Sequence, residues 1–84
     1  MSLRVSWSAR AEKDREALSD DMRRRVLVSL GRYAETGHGD VRALVGLSGL
    51  YRLRVGDYRI VFQLPGADAL HVVRVRHRRD AYRE

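Results

Sequence analysis

Three arginines surround a predicted tight turn between two short apolar segments. The turn is Gly56-Asp57, a pair of the glycine-first kind that closes two-residue β-hairpins. Such a turn sets Arg54 opposite Arg59 and, because side chains alternate between the faces of a strand, places Arg52 on the same face. Like charges opposed across a sheet destabilise it by about 0.2–1 kcal/mol per pair. The pattern therefore predicts a surface that binds an anion, since the fold itself gains nothing from this arrangement.

A second group of arginines lies near the end of the chain. Arg74, Arg76 and Arg78 alternate with residues of the opposite face in the last predicted strand, and Arg79 follows directly. If this strand lies beside the hairpin, its arginines extend the basic surface on the open side of the sheet. A surface of that kind suits a phosphodiester backbone, so Arg74, Arg76 and Arg79 are predicted to bind RNA.

Two residues beside these arginines can transfer protons, His77 and Tyr82. Attack of an RNA 2′-hydroxyl on its own phosphate needs a base, an acid for the leaving 5′-oxygen, and fixed cations for the developing charge. Arginine supplies the cations, but its pKa above about 12 makes it a poor proton carrier. The pattern predicts that His77 or Tyr82 moves the proton. The structural alternatives are a strand-end histidine that contacts the core and a tyrosine that anchors the tail.

Composition limits the remaining possibilities. The 84 residues are expected to form a single domain, residues 1–84, and the absence of cysteine excludes disulfides and a thiol nucleophile. The three histidines are not at metal-ligand spacing, so no metal or cofactor is predicted. No segment resembles a signal peptide or a membrane span, which favours a cytoplasmic protein without a membrane partner.

The positive charge is concentrated in the second half of the chain. The net charge is +6, yet residues 1–41 carry eight basic against seven acidic residues, whereas residues 42–84 carry nine against four. Sixteen of the seventeen basic residues are arginine, which binds phosphate in a bidentate manner. A GC-rich genome, which encodes arginine in place of lysine, explains the total but not the clustering. The run Arg23-Arg24-Arg25 is more typical of a solvated helix face than of an RNA-binding patch.

Hydrophobic periodicity predicts an α+β fold with the order β-α-α-β-β-β. An antiparallel sheet is expected to carry two N-terminal helices on one face. The predicted elements are a strand at Leu3–Ser6, helices at Ala9–Leu18 and from Ser19 to about Glu35, an irregular connector over residues 37–50, and strands at Tyr51–Val55, Tyr58–Leu64 and Leu70–Arg76. The apolar side of the hairpin should face the helices and leave the arginines on the open side.

The two segments LVGLSGLYRLRVGDYRIVF and VVRVRHRRDAYR resemble the RelE/ParE superfamily of toxins from type II toxin–antitoxin systems, with the RelE branch the more similar. The resemblance implies a RelE-like microbial RNase-type fold and a ribosome-dependent mRNA endonuclease. It also implies partners: the ribosome, mRNA, and an acidic, partly disordered antitoxin through which the complex binds operator DNA.

The resemblance also assigns site residues. Arg59 falls on the arginine of the family's YR motif, and Arg78 on the arginine near the end of the last strand. Arg52 and Arg54 stand where some members have two active-site lysines, and Tyr82 lies near a C-terminal tyrosine. The predicted catalytic set is Arg52, Arg54, Arg59, His77, Arg78 and Tyr82.

Two other functions fit the same resemblance. A ParE-type toxin would poison DNA gyrase without cutting nucleic acid, and a detoxified copy would serve only as the antitoxin's partner in repression. A gyrase poison has no need of an arginine face beside histidine and tyrosine. This feature therefore favours the nuclease.

Overall fold

The computed structural model describes residues 2–46 and 49–83, with side chains through Asp80. The elements run along the chain as β1 (Arg4–Trp7), α1 (Ala9–Glu16), α2 (Asp20–Thr36), β2 (Val41–Ala43), β3 (Tyr51–Val55), β4 (Tyr58–Gly66), β5 (Ala69–His77) and a C-terminal 3₁₀ helix (Arg78–Arg83). The five strands form one sheet in the order β1-β5-β4-β3-β2. The predicted α+β class is confirmed. No described helix is long and apolar enough to span a membrane.

Serine caps start both helices. The Ser8 hydroxyl accepts a hydrogen bond from the Ala11 amide at 3.0 Å, and the Ser19 hydroxyl accepts one from the Met22 amide at 3.2 Å. These bonds satisfy amides that have no partner within the helix. Arg23 then joins the helices by donating to three carbonyl oxygens at the end of α1, those of Arg15, Glu16 and Leu18. The first arginine of the basic run is therefore structural.

The hairpin has the predicted register. Val55 pairs with Tyr58, Arg54 with Arg59, and the pairing continues to Tyr51 opposite Phe62. Gly56 has a φ of +58° and Asp57 has a negative φ, the combination of a type II′ turn. A residue other than glycine is strained at this φ, so the glycine specifies the turn.

The sheet differs from the prediction at both edges. β1 runs parallel to β5, with Arg4 opposite Ala69, so the sheet is mixed rather than wholly antiparallel. A strand separated from its neighbour by two helices has no hairpin to fix its direction, and packing decides it. Residues 37–50 are not wholly irregular, because β2 pairs with β3 through three residues, too few to show a period.

A bulge in β5 reverses the alternation of apolar residues. Val61 pairs with Arg74 while the next residue, Phe62, pairs with Val72, so Val73 is the extra residue. Because one residue is skipped, Val72 and Val75 both face the helices although they are three apart. Arg74 and Arg76 consequently lie on the open face, which agrees with the prediction.

The core lies between the helices and one face of the sheet. Leu53, Ile60 and Phe62 from the hairpin are at most 1% exposed and pack with Val26 and Leu30 of α2. The rings of Tyr33 and Tyr51 pack around Phe62, with centroids 5.6 and 5.7 Å away. The predicted division of the hairpin into an apolar helix-facing side and an arginine side is confirmed.

Asp14 of α1 closes the edge of β5 beyond the end of β1. Its Oδ2 accepts hydrogen bonds from Nε of Arg74 and from the Val75 amide, both at 2.9 Å. Burial raises the pKa of Asp14, but the hydrogen bonds from Arg74 and Val75 and the charges of Arg74 and Arg76 outweigh it, so the pKa is lowered from its ordinary value of 3.8. The Asp14 carboxylate thus accepts the backbone hydrogen bond that a neighbouring strand would otherwise accept at this edge.

Asp14→Asn is expected to lower the free energy of unfolding at about pH 7 by roughly 1–3 kcal/mol, because Arg74 loses its charged partner. A lowered folded-state pKa stabilises the protein above 3.8 and stops doing so as the pH falls through the folded-state value. The difference in free energy of unfolding between the Asp14→Asn variant and the unaltered protein should therefore shrink as the pH falls. Urea unfolding at a series of pH values measures this difference. Glu16→Asn, an exposed site on the same helix, is the control; a pH-independent difference at Asp14 would contradict the assignment.

Candidate active site

A cleft of about 300 Å³ lies where the hairpin turn meets the C-terminal 3₁₀ helix. It is lined by Arg54, Gly56, Asp57, Tyr58, Arg59, Arg78 and Arg79. The hairpin register sets Arg54 directly opposite Arg59, and the 3₁₀ helix contributes the other two arginines. Among the residues that the structure describes, four arginines and a single acidic residue, Asp57, therefore line this cleft.

The turn also holds the 3₁₀ helix. The Arg78 amide donates to the Asp57 carbonyl oxygen at 2.7 Å, and Nε of Arg78 lies 3.8 Å from Oδ1 of Asp57. Arg78 was expected to continue the alternation of the last strand, but β5 ends at His77 because the chain turns here into the 3₁₀ helix. Arg78 still reaches the predicted site, by its contact with the turn rather than by strand alternation.

Arg52 lies on the predicted face but is held outside the cleft. Its Nη1 donates to the Asp40 carbonyl oxygen at 2.9 Å and lies 3.3 Å from the Asp40 carboxylate. Only 12% of the side chain is exposed. In the register Arg52 stands opposite Val61, which is 4% exposed although it points away from the helices. Arg52 therefore has the contacts of a structural residue.

Two predicted RNA-binding arginines, Arg74 and Arg76, have partners within the protein. Arg74 forms the two-point ion pair with Asp14, and its side chain is 22% exposed. Arg76 stands opposite Arg59 in the register and donates to the Asp80 carbonyl oxygen at 3.2 Å. Neither lines the cleft, whereas Arg79, the third predicted RNA-binding residue, does.

His77 lies on the helix side of the sheet, opposite Tyr58. The two rings meet edge to face with centroids 5.1 Å apart, and Nδ1 of His77 accepts a hydrogen bond from the Arg79 amide at 3.3 Å. The imidazole lines a second depression, next to Asp14 and Leu18, and not the arginine cleft. The structure thus separates His77 from Arg54 and Arg59 by the ring of Tyr58.

Two residues of the cleft, Tyr58 and Asp57, are not among the site residues predicted from the sequence. Tyr58 belongs by alternation to the helix side, but as the first residue after the turn it reaches the end of the sheet and lines both depressions. In the sequence, the position of Tyr58 directly after the turn was the signal that could have identified it. The side chain of Tyr82 lies outside the described residues. Among the described residues, no three His, Asp or Glu side chains cluster so that they could hold a metal ion.

Comparison with known proteins identifies the family. A family model described as the ParE toxin of the type II toxin–antitoxin system parDE matches residues 5–82, nearly the whole chain. The chain belongs to this toxin family. The resemblance to the RelE/ParE superfamily is thereby confirmed. No curated protein matches the sequence.

Solved structures share the fold of this toxin. The RelBE2 toxin–antitoxin complex of Mycobacterium tuberculosis matches with a TM-score of 0.79 at 21% identity, over 93% of this chain and 100% of that chain. The RelE–RelB complex of Pyrococcus horikoshii matches with a TM-score of 0.75 at 26% identity, over 93% and 97%. A ParDE system of P. aeruginosa matches with a TM-score of 0.71 at 11% identity, over 89% and 95%. One fold therefore serves both RelE and ParE systems.

The surroundings of Arg52 and Arg54 predict that their replacement affects stability to different extents. Arg52→Ala removes the ion pair with Asp40, so the free energy of unfolding should fall by roughly 1–3 kcal/mol. Arg54→Ala removes one of two opposed charges at an exposed position and should change it by less than about 0.5 kcal/mol. Urea unfolding of the two variants tests the pair. Equal losses of unfolding free energy in the two variants would show that the ion pair between Arg52 and Asp40 does not stabilise the protein.

Proposed function

We propose that this toxin is an endoribonuclease that cuts mRNA on the ribosome without a metal cofactor. The observation that carries the proposal is the cleft lined by four arginines and one carboxylate. Guanidinium groups on two sides of a phosphate stabilise the additional negative charge that develops on its oxygens in the transition state. Arg54 and Arg59 supply these groups from the hairpin, and Arg78 and Arg79 supply them from the 3₁₀ helix.

The reaction uses the RNA's own hydroxyl. A base removes the proton of the 2′-hydroxyl as its oxygen forms a bond to the adjacent phosphorus. The bond from phosphorus to the 5′-oxygen then breaks, and an acid protonates that oxygen. The products are a 2′,3′-cyclic phosphate and a free 5′-hydroxyl, so no external water is consumed.

Tyr58, Tyr82 and His77 are the candidates for proton transfer. Tyr58 lines the arginine cleft, and Tyr82 belongs to the 3₁₀ helix that packs on β4 and β5. His77 lies behind the Tyr58 ring, with Nδ1 engaged by the Arg79 amide. Because His77 lies behind that ring, a tyrosine is favoured over His77 as the group that contacts RNA. Arg52, paired with Asp40, then maintains the sheet rather than the phosphate site.

The proposed dependence on the ribosome follows from what the cleft lacks. Arginines stabilise charge, but they do not align the 2′-oxygen with the breaking bond. The 2′-hydroxyl is already tethered to its phosphate, so the remaining requirement is a near-attack geometry in which the reacting atoms are aligned. A ribosome that holds the mRNA strand in an extended, strained path supplies the alignment, which the open cleft of the toxin does not supply alone.

A cognate antitoxin is the proposed inhibitor. The matched M. tuberculosis and P. horikoshii structures are toxin–antitoxin complexes. This toxin carries a net charge of +6, so an acidic and partly disordered segment that folds on contact would complement it. Neutralisation would follow if that segment covers the arginine cleft. Operator DNA would be bound by the antitoxin.

Poisoning of DNA gyrase is the second candidate. The family model that matches the chain is that of ParE toxins, and His77 stands outside the arginine cleft. A protein that only binds gyrase has no need of proton-transfer groups aligned with a phosphate. The two candidates therefore differ in whether the toxin itself breaks a phosphodiester bond.

Arg59→Ala and Arg78→Ala are each expected to reduce mRNA cleavage by about 10²–10³-fold, the usual effect of removing one group that stabilises transition-state charge. Both variants should remain folded and bind the antitoxin. Primer extension on an mRNA translated in a purified system measures the cuts. Arg42→Ala, an exposed arginine on the neighbouring strand outside the cleft, is the matched control and should cut normally.

Two outcomes would contradict the nuclease proposal. If the folded, unaltered toxin leaves every ribosome-occupied codon intact but traps gyrase on cleaved DNA, the gyrase candidate replaces it. If Arg59→Ala and Arg78→Ala both cut as well as Arg42→Ala, the toxin is a nuclease with a different site.

The proton-transfer groups can be separated by kinetics. Replacement of the true acid or base should lower the single-turnover rate by about 10²–10⁴-fold and remove one limb of the pH–rate profile. We expect this of Tyr58→Phe or Tyr82→Phe. His77→Gln should have a smaller effect and leave the profile unchanged. Loss of the neutral-pH limb in His77→Gln alone would return His77 to the catalytic role.

A further inference from the structure

A second cationic groove runs along the other side of the hairpin turn, between the turn and α2. Its volume is about 400 Å³, and it is lined by Arg24, Arg25, Val28, Ser29, Arg54, Val55 and Gly56. Three of these residues are arginines and none is acidic. Arg24 and Arg25 are exposed on α2 and line this groove, and the guanidinium group of Arg25 lies beside Gly56 of the hairpin turn.

The groove is continuous with the arginine cleft. Arg54 and Gly56 line both depressions. Nη2 of Arg25 lies only 3.2 Å from the position that a Cβ on Gly56 would occupy. A side chain at this position would push the guanidinium away, so the glycine that specifies the turn also permits Arg25 to approach it. The basic surface therefore continues from the cleft, across the turn, to α2.

We propose that this groove binds the sugar-phosphate backbone of single-stranded RNA next to the phosphate held in the cleft. The inference rests on the proposed function, because the cleft defines where the strand enters. Arg24 and Arg25 would contact a flanking phosphate. Val28, which is 61% exposed, offers an apolar surface to a ribose or base. The phosphate could belong to the mRNA or to ribosomal RNA, since the chemistry is shared.

An acidic peptide is the competing occupant, and two observations favour RNA. The groove and the cleft share Arg54 and Gly56, so a strand bound in the cleft can continue into the groove. A lining with three arginines and no acidic residue suits a polyanion with a charge on every residue.

The double variant Arg24→Ala/Arg25→Ala tests the groove, with Arg10→Ala/Arg32→Ala as a control that removes the same charge from exposed sites outside it. Alanine preserves helix propensity in both. The first probe is a fluorescent single-stranded RNA oligonucleotide with methylated 2′-hydroxyls, which cannot be cut. The second is a purified ribosome, with and without bound mRNA. Affinity is measured over a series of salt concentrations.

Loss of two phosphate contacts should weaken binding about tenfold and reduce the slope of log affinity against log salt by about 1.4. The control should match the unaltered toxin. A loss on the oligonucleotide and on mRNA-loaded ribosomes assigns the contact to mRNA, whereas a loss on ribosomes with or without mRNA assigns it to ribosomal RNA. Either supports the groove.

If the double variant and the unaltered toxin bind both probes equally, the proposal is overturned. A loss confined to antitoxin binding would overturn it in favour of the peptide. These results are independent of cleavage. If the toxin cuts no RNA but the double variant loses RNA affinity, the groove proposal stands and the nuclease proposal fails. If the toxin cuts mRNA and the double variant binds RNA normally, only the proposed function stands.

Discussion

The two-residue turn at Gly56 and Asp57 determines where the arginines of the cleft lie. Its type II′ geometry sets Arg54 opposite Arg59, and the Asp57 carbonyl accepts the amide hydrogen of Arg78 at the start of the 3₁₀ helix. The missing side chain of Gly56 lets Arg25 approach from α2. Arginines distant in sequence therefore meet around one short loop whose conformation depends on a glycine with positive φ.

The arginines of the sheet fall into two groups with different energetics. Arg52 and Arg74 each have a carboxylate partner, Asp40 and Asp14, and are largely covered. In each pair the carboxylate balances the charge of the guanidinium group, and the aliphatic part of the arginine side chain covers the sheet. Around the cleft the described residues supply four arginines and one acidic residue, Asp57, so an anion that enters meets an excess of positive charge. Arg52 and Arg74 thus stabilise the fold, whereas the arginines of the cleft are the proposed phosphate ligands.

Local chemistry explains which parts of the structure the sequence predicted. The register of the hairpin and the division into an apolar side and an arginine side follow from neighbouring residues, and both were predicted correctly. The partners of Arg52 and Arg74 lie 12 and 60 residues away, so no local pattern shows them. The sequence carried a signal for the bulge at Val73, because the spacing of apolar residues changes from two between Leu70 and Val72 to three between Val72 and Val75. Alternation already placed His77 with Val75 on the helix side, so its candidacy rested on chemistry and not on position.

The shared fold of RelE and ParE systems means that the architecture alone does not define the target. What distinguishes a nuclease from a gyrase-binding protein is proton transfer at the phosphate. Fixed arginines lower the energy of a charged transition state, but the reaction still requires that the 2′-oxygen lose a proton and the 5′-oxygen gain one. Tyr58 lies between the arginine cleft and His77, and it can link the two if it transfers that proton. The catalytic capacity of the fold would then depend on one aromatic residue directly after the turn that positions the arginines.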